Sequence, residues 1–156
     1  MKRFEILDIF GDVGIRVFGK DLHEVFINAA AGMYSLITDP VSIKTEKTIE
    51  VSVMGHSIEG LLVAWLNELI FLFDTTGFIG KEIVITETKP ALDSPLRNAD
   101  CRITGLEDCS LLALLSGGVF DPERHESDLL LKAATWHRLR IEKINGIWEA
   151  DVIFDI

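Results

Sequence analysis

The stretch Val13–Pro40, VGIRVFGKDLHEVFINAAAGMYSLITDP, changes its hydrophobic period at Asp21, and that change decides the fold class. Before Asp21, IRV alternates apolar and polar residues as a strand does across its pleat, and Gly14 and Gly19 punctuate the run. After it, Leu22, Val25, Phe26, Ala29, Met33 and Leu36 recur at helical spacing and form one apolar face. Asp21 is a good N-cap, and Glu24 three residues later completes a D-x-x-E variant of the capping box. Thr38-Asp39-Pro40 ends the helix, because the residue before a proline is pushed out of the α region.

Working outward, FEILDI upstream reads as a second strand, joined to the first by the acidic turn FGD. Downstream, TIEVSVM alternates from Thr48 to Met54 as a half-buried strand. Ser57 then caps a second helix running to about Asp74, apolar on nearly every side and so predicted to be central. GFIGKEIVITETK predicts another strand and ADCRITGLE one more. LEDCSLLALLSGGVFDPERHE reads differently: its LLALL is a short helix or a surface excursion, and Gly117-Gly118 would end either. Three segments follow Glu126: LLLKAATW, read as an apolar strand, then HRLRIEK and IWEADVIFDI, the last two separated by the hairpin signal Asn145-Gly146. Together these predict an α+β fold: one two-layer domain over residues 1–156, with two main helices packed on one face of a largely antiparallel or mixed β-sheet.

With 156 residues, 48% of them hydrophobic, the chain can bury a sizeable core. Its net charge of −10 argues against direct, tight nucleic-acid binding, which draws its affinity from lysine and arginine on phosphates. A role in nucleic-acid chemistry would run through a partner. Cys101 and Cys109 are too far apart for a C-x-x-C pair and too few for a disulfide framework, so they read as reduced thiols of a cytoplasmic protein. Glu5 and Asp8 interrupt MKRFEILDIF, which is therefore no signal peptide. The longest apolar stretch, Leu61–Phe73, is broken by Asn67 and Glu68 and falls short of the ~20 residues of a membrane span.

P-loop, G-x-S-x-G, H-E-x-x-H and dinucleotide signatures are all absent from the sequence, which lowers the expectation of a self-contained enzyme. Asp8 and Asp12 flank the first turn, and Asp155 with the α-carboxylate of Ile156 closes the chain. Terminal strands of small α+β sheets often lie side by side, which would gather these oxygens into one site for a hard divalent cation such as calcium, magnesium or manganese. The plainer reading is that turns and chain ends are acidic because they are solvated. His125 sits in the polar loop DPERHES and reads as solvated, His23 and His56 as surface residues at helix starts, and His137 as bonded to backbone. Lys132 is the lone charge in LLLKAATW and points to solvent or to a partner; Glu68 marks an exposed stripe of the second helix. An autonomous metal-dependent phosphohydrolase would need a general base, for which the candidates are Glu68, His125 and His137. A chaperone-like binding module is a further alternative.

In order along the chain, D-x-x-x-D-V-G-I from Asp8 to Ile15, VFGKDLHEVFINAAAGMYSLITD, LLVAWLNELIFLFD, DPERHE, KAATWH and the terminal VIFDI together resemble the archease family. Archeases are small acidic α+β proteins that serve as accessory factors of the RtcB-type RNA ligase of tRNA splicing and RNA repair. The resemblance implies a protein cofactor, not an enzyme, that promotes guanylylation of that ligase and restores its turnover. It also implies a bound metal held by Asp12, Asp155 and main-chain oxygens of Ile156, and an activity-linked basic residue in the DPERHE region, matching Arg124 beside His125, with Lys132 as a further candidate. Two features depart from the family. Its usual D-H-T-A-D is D-I-F-G-D here, with Ile9 in place of a histidine, and the segment Leu106–Phe120 is longer and more apolar than the family leads one to expect, which bears on the partner surface.

Overall fold

In the computed structural model, which describes residues 2–9, 11–92 and 109–156, the switch of period at Asp21 is a switch of layer. Strands β1 (Phe4–Ile9) and β2 (Asp12–Gly19) lead into helix α1 (Leu22–Ile37). Then come β3 (Lys47–Gly55), α2 (Ile58–Thr76), β4 (Phe78–Lys89), β5 (Cys109–Val119), β6 (Ala133–Ala134), β7 (Arg140–Ile144) and β8 (Ile147–Asp155). The helices start where their caps direct: the Asp21 carboxylate accepts from the Glu24 N–H at 2.9 Å, and the Ser57 hydroxyl accepts from the Gly60 N–H at 3.0 Å. Gly77, at φ +76, supplies the left-handed residue that ends α2.

The fold is α+β, and its β layer is made of two antiparallel sheets. The first runs β1-β2-β8-β6, with β7 also paired to β8; the second runs β3-β5-β4. Each helix touches both sheets: α1 lies on β1, β2 and β8 and against β4, and α2 lies on β3, β4 and β5 and against β6. Between them is the core of Ile15, Val17, Phe26, Met33, Leu62, Trp65, Leu66 and Leu115, all fully buried. The Trp65 indole N–H donates to the Phe26 carbonyl at 3.0 Å, so the largest core side chain also ties the helices together.

Three expectations need correction. LLALL is neither a helix nor a surface excursion, but the middle of β5, the central strand of the second sheet. Cys109, Leu111, Ala113 and Leu115 are buried at alternate positions, while Ser110, Leu112 and Leu114 face the other way, a period of two that the leucine-rich composition hides. Gly117 and Gly118 do not end the element. They lie within it, where a Cβ on Gly117 would collide with the Ile79 carbonyl oxygen and one on Gly118 with the Lys44 carbonyl oxygen.

Cys109 is disulfide-bonded, not a reduced thiol. Its spacing from Cys101 excludes a C-x-x-C pair but is no bar to a bridge, and Cys101 lies outside the described residues. Finally, LLLKAATW contributes only the two-residue β6, because just Ala133 and Ala134 reach the ladder of β8. The expected strand ADCRITGLE also lies outside the described residues. No helix among the described residues is long and apolar enough to cross a membrane.

Candidate functional site

The register of β2 on β8 sets the geometry of the chain end. Val13 faces Phe154, Ile15 faces Val152 and Val17 faces Ala150, and these pairs form the buried side of the first sheet. The alternate residues Gly14 and Ile153, and Arg16 and Asp151, occupy the opposite side. Extending the antiparallel register by one residue puts Asp12 across from Asp155 on that same side, with Ile156 just beyond. Asp8 does not join them: it is paired with Val13 and so belongs to the other face.

The segment around β6 closes over this strand end. Ala133 pairs with Asp155, and the Lys132 backbone N–H donates to the Asp155 carbonyl at 2.8 Å, while the Lys132 residue itself is exposed. Asn67 of α2 fixes the two-residue strand, donating to the Ala134 carbonyl at 3.2 Å and accepting from the Ala134 N–H at 2.8 Å. Thr135 donates twice to the Ile153 carbonyl, from its N–H at 3.0 Å and its hydroxyl at 2.8 Å. The same hydroxyl accepts from the His137 N–H at 3.3 Å, and His137 Nε2 lies 3.9 Å from Asp12 Oδ2. Beyond its backbone bond, His137 thus turns its ring toward the acidic strand end. The Thr135-to-His137 spacing is visible in the sequence, but its meaning depends on the register of β8.

Two rows up the same sheet face, charge is handled differently. Arg16 makes two hydrogen bonds to the Asp151 carboxylate, at 2.9 and 3.1 Å, and Arg140 makes two more, at 3.2 and 3.0 Å, while reaching Glu149 at 3.0 Å and Glu142. Burial pushes the Asp151 carboxyl upward, but the hydrogen bonds from the two arginines outweigh it and hold the group below its ordinary value. For Arg140 burial pulls downward, and the bonds to Asp151, Glu149 and Glu142 prevail and raise it. Among the described residues no arginine or lysine pairs with Asp12, Asp155 or the C-terminus.

A cation of the kind the family resemblance implies would meet oxygen donors here: the Asp12 and Asp155 carboxylates and the main-chain oxygens of Ile156. That chemistry fits a hard divalent ion. Among the described residues no three histidine, cysteine, aspartate or glutamate side chains converge to hold a metal, so the Ile156 oxygens would be needed as well.

The remaining candidates lie elsewhere. Arg124 and His125 line an open groove of about 590 Å³ with Ser42, Lys44 and Glu46. Arg124 Nε lies 3.7 Å from Asp121 Oδ2, and His125 Nδ1 accepts from the Asp121 N–H at 2.8 Å while its ring packs beside Phe120. His125 is therefore a partly buried loop brace, not a solvated side chain. Glu68 is half-buried on α2, one position from the Asn67 that holds β6.

The profile of the Archease protein family (MTH1598/TM1083) matches residues 4–156. A protein archease of Methanosarcina mazei is 31% identical over 155 residues, which cover 99% of this chain and 97% of that one. A protein archease of Pyrococcus abyssi is 30% identical over the full length of both. Among solved structures, the solution structure of Methanobacterium thermoautotrophicum protein 1598 superposes with a TM-score of 0.75 at 30% identity, covering all of both chains. The crystal structure of a Thermotoga maritima protein described as an archease and possible chaperone has a TM-score of 0.59 at 14% identity over 97% of this chain and 96% of that one, a likeness of fold.

Proposed function

Since this chain belongs to the archease family, we propose that it is an accessory protein of an RtcB-type tRNA-splicing RNA ligase, promoting ligase guanylylation and multiple turnover through a divalent cation at Asp12, Asp155 and Ile156. One observation carries the reading: the β2–β8 register brings Asp12 to Asp155 at the chain terminus, and no described arginine or lysine neutralises either of them. Carboxylates on an exposed strand end without an arginine or lysine partner are available to a cation, and Asp12, with only His137 Nε2 near it at 3.9 Å, is 53% exposed at its side chain.

Bound there, a divalent ion would supply positive charge beside nucleotide phosphates, which lowers the barrier to phosphoryl-type transfer onto a nucleophile. The chain's own part is positional. The ladder of β8, clamped by β2 on one side and by Lys132 and Thr135 on the other, fixes the strand end from which the carboxylates project. Their negative charge, within a chain of net charge −10, favours approach to a basic partner surface.

The test is a multiple-turnover ligation assay with a cognate RtcB-type ligase, GTP and a divalent metal, with this protein substoichiometric. Stimulation that disappears in Asp12→Ala and Asp155→Ala is the expected result. Stimulation equal to wild type in both variants would end the metal-centred form of the proposal.

A chaperone-like reading draws on the second sheet, where Val84 and Leu114 are paired neighbours on its outward face and are 60% and 39% exposed, as is Met54 at 62%. Unchanged aggregation of model clients in its presence would dispose of that reading.

A further inference from the structure

We propose that Trp136 is the apolar anchor by which this protein docks on its partner, inserting into a socket whose rim is basic; the inference rests on the accessory role proposed above and names the surface that performs it. Trp136 is 61% exposed, whereas Trp65 is fully buried. It stands between Thr135, bonded to Ile153 of β8, and His137, whose ring lies 3.9 Å from Asp12, so it borders the acidic strand end. The indole is not a loose side chain. Its Cη2 and Cζ2 lie over Gly60 in the first turn of α2, where a Cβ would come within 3.3 and 3.5 Å of them. The Leu139 N–H donates to the Trp136 carbonyl at 3.2 Å, closing a turn in which Arg138 adopts φ 54. A large aromatic group held in place before binding loses little freedom on binding.

Its surroundings specify the occupant. An exposed tryptophan flanked by charge is the arrangement of a binding hot spot, in which an apolar anchor is buried and a polar rim excludes water around it. Beside it are Asp12 and Asp155, which no described lysine or arginine side chain neutralises, with the exposed Lys132 and Arg138 on the same loop, and Ile156 adds a second apolar side chain 51% exposed. Charge complementarity to the two carboxylates therefore selects a protein surface with lysines or arginines around an apolar pocket. The same charges disfavour single-stranded nucleic acid, whose phosphates they would repel.

Binding to the cognate ligase is measured by titration calorimetry at fixed salt, beside the ligation assay and a calcium or magnesium titration of the free protein. Trp136→Ala is expected to weaken ligase binding about 30-fold or more, the scale of a hot-spot tryptophan, while leaving cation affinity within about threefold of wild type. Trp136→Phe should recover most of the binding. Phe71→Ala removes a comparably exposed aromatic group eleven residues further along α2 than Gly60, about 16 Å away, and should bind as wild type. Trp136→Gln keeps a stem over Gly60 and serves if the alanine variant melts near assay temperature.

Wild-type stimulation with unchanged ligase binding in Trp136→Ala and Trp136→Gln overturns the anchor and leaves the accessory role standing. Wild type that neither binds nor stimulates the ligase overturns both. A loss confined to labelled RNA binding, or to a dimer seen by sedimentation, also overturns the proposal, because the occupant would then be a different one.

Discussion

Asp151 and Asp155 lie four residues apart on one strand and face the same side of one sheet, yet their circumstances are opposite. Asp151 sits opposite Arg16 on β2 and Arg140 on β7 and accepts hydrogen bonds from both guanidinium groups. Asp155 sits beyond the last registered pair, with Asp12 on one flank and Ala133 on the other. Residue type and face are the same; the cross-strand neighbours differ. A carboxylate enclosed by arginines is part of the structure, and one beside another carboxylate and a methyl group is left without an arginine or lysine partner among the described residues.

The largest destabilisation should come from the enclosed member. In Asp151→Ala, Arg16 and Arg140 keep their partly buried positions without their shared acceptor, which costs about 2 kcal/mol once the solvent exposure of the arginines is allowed for. Urea denaturation of wild type and variant measures it, and cation affinity at the strand end should not change. The open member shows itself only when a cation is added. At a free calcium or magnesium concentration 100 times its Kd, wild type should gain about 2.7 kcal/mol in the same assay, and Asp12→Ala and Asp155→Ala should gain nothing. Equal gains in all three would move the cation elsewhere.

Acid separates the two regions further. The Asp151 carboxyl is held below its ordinary value of 3.8, so the folded protein binds that proton less readily than the unfolded chain does. The stability this contributes is fully present above the unfolded value and is lost as pH falls through the lower folded one. Asp151→Asn should therefore lose less stability than wild type between about pH 5 and pH 2, a smaller effect than either of the first two because Asp151 is only partly buried. Parallel acid curves for the two proteins would mean that the arginine bonds add nothing to folding.

The sequence carries much of this molecule because several of its signals are local. A period change at Asp21, side-chain caps at Asp21 and Ser57, and Asn145-Gly146 at φ 52 and 81 are each readable within a few residues. LLALL reads as a helix or a surface excursion because it offers five apolar residues in a row, and the alternation of β5 appears only once one face packs on α2 and the other is turned outward. The candidate site was legible in its residue types and in the nearness of the terminal strands. Its composition was not. The β1–β2 register keeps Asp8 on the face away from Asp12, and a one-residue shift would reverse that, whereas His137 reaches Asp12 through the loop that Thr135 ties to Ile153. Asn67 was legible only as an interruption of an apolar helix, because its function is a pair of bonds to a strand 67 residues away.

The smallest effect has the most informative sign. With a chelator present, Asp155→Asn should change stability by only a few tenths of a kcal/mol, and upward, because like charges directly opposite one another on adjacent strands are unfavourable and the amide removes one of them. Asp12→Asn removes the same repulsion from the other strand and should do the same, less whatever the contact with His137 Nε2 at 3.9 Å contributes. The substitution at Asp151 on the same strand goes the other way and destabilises. A loss of more than about 1 kcal/mol in Asp155→Asn without metal would mean that the strand end is built into the fold as Asp151 is, and the distinction between an enclosed carboxylate and an available one would not hold.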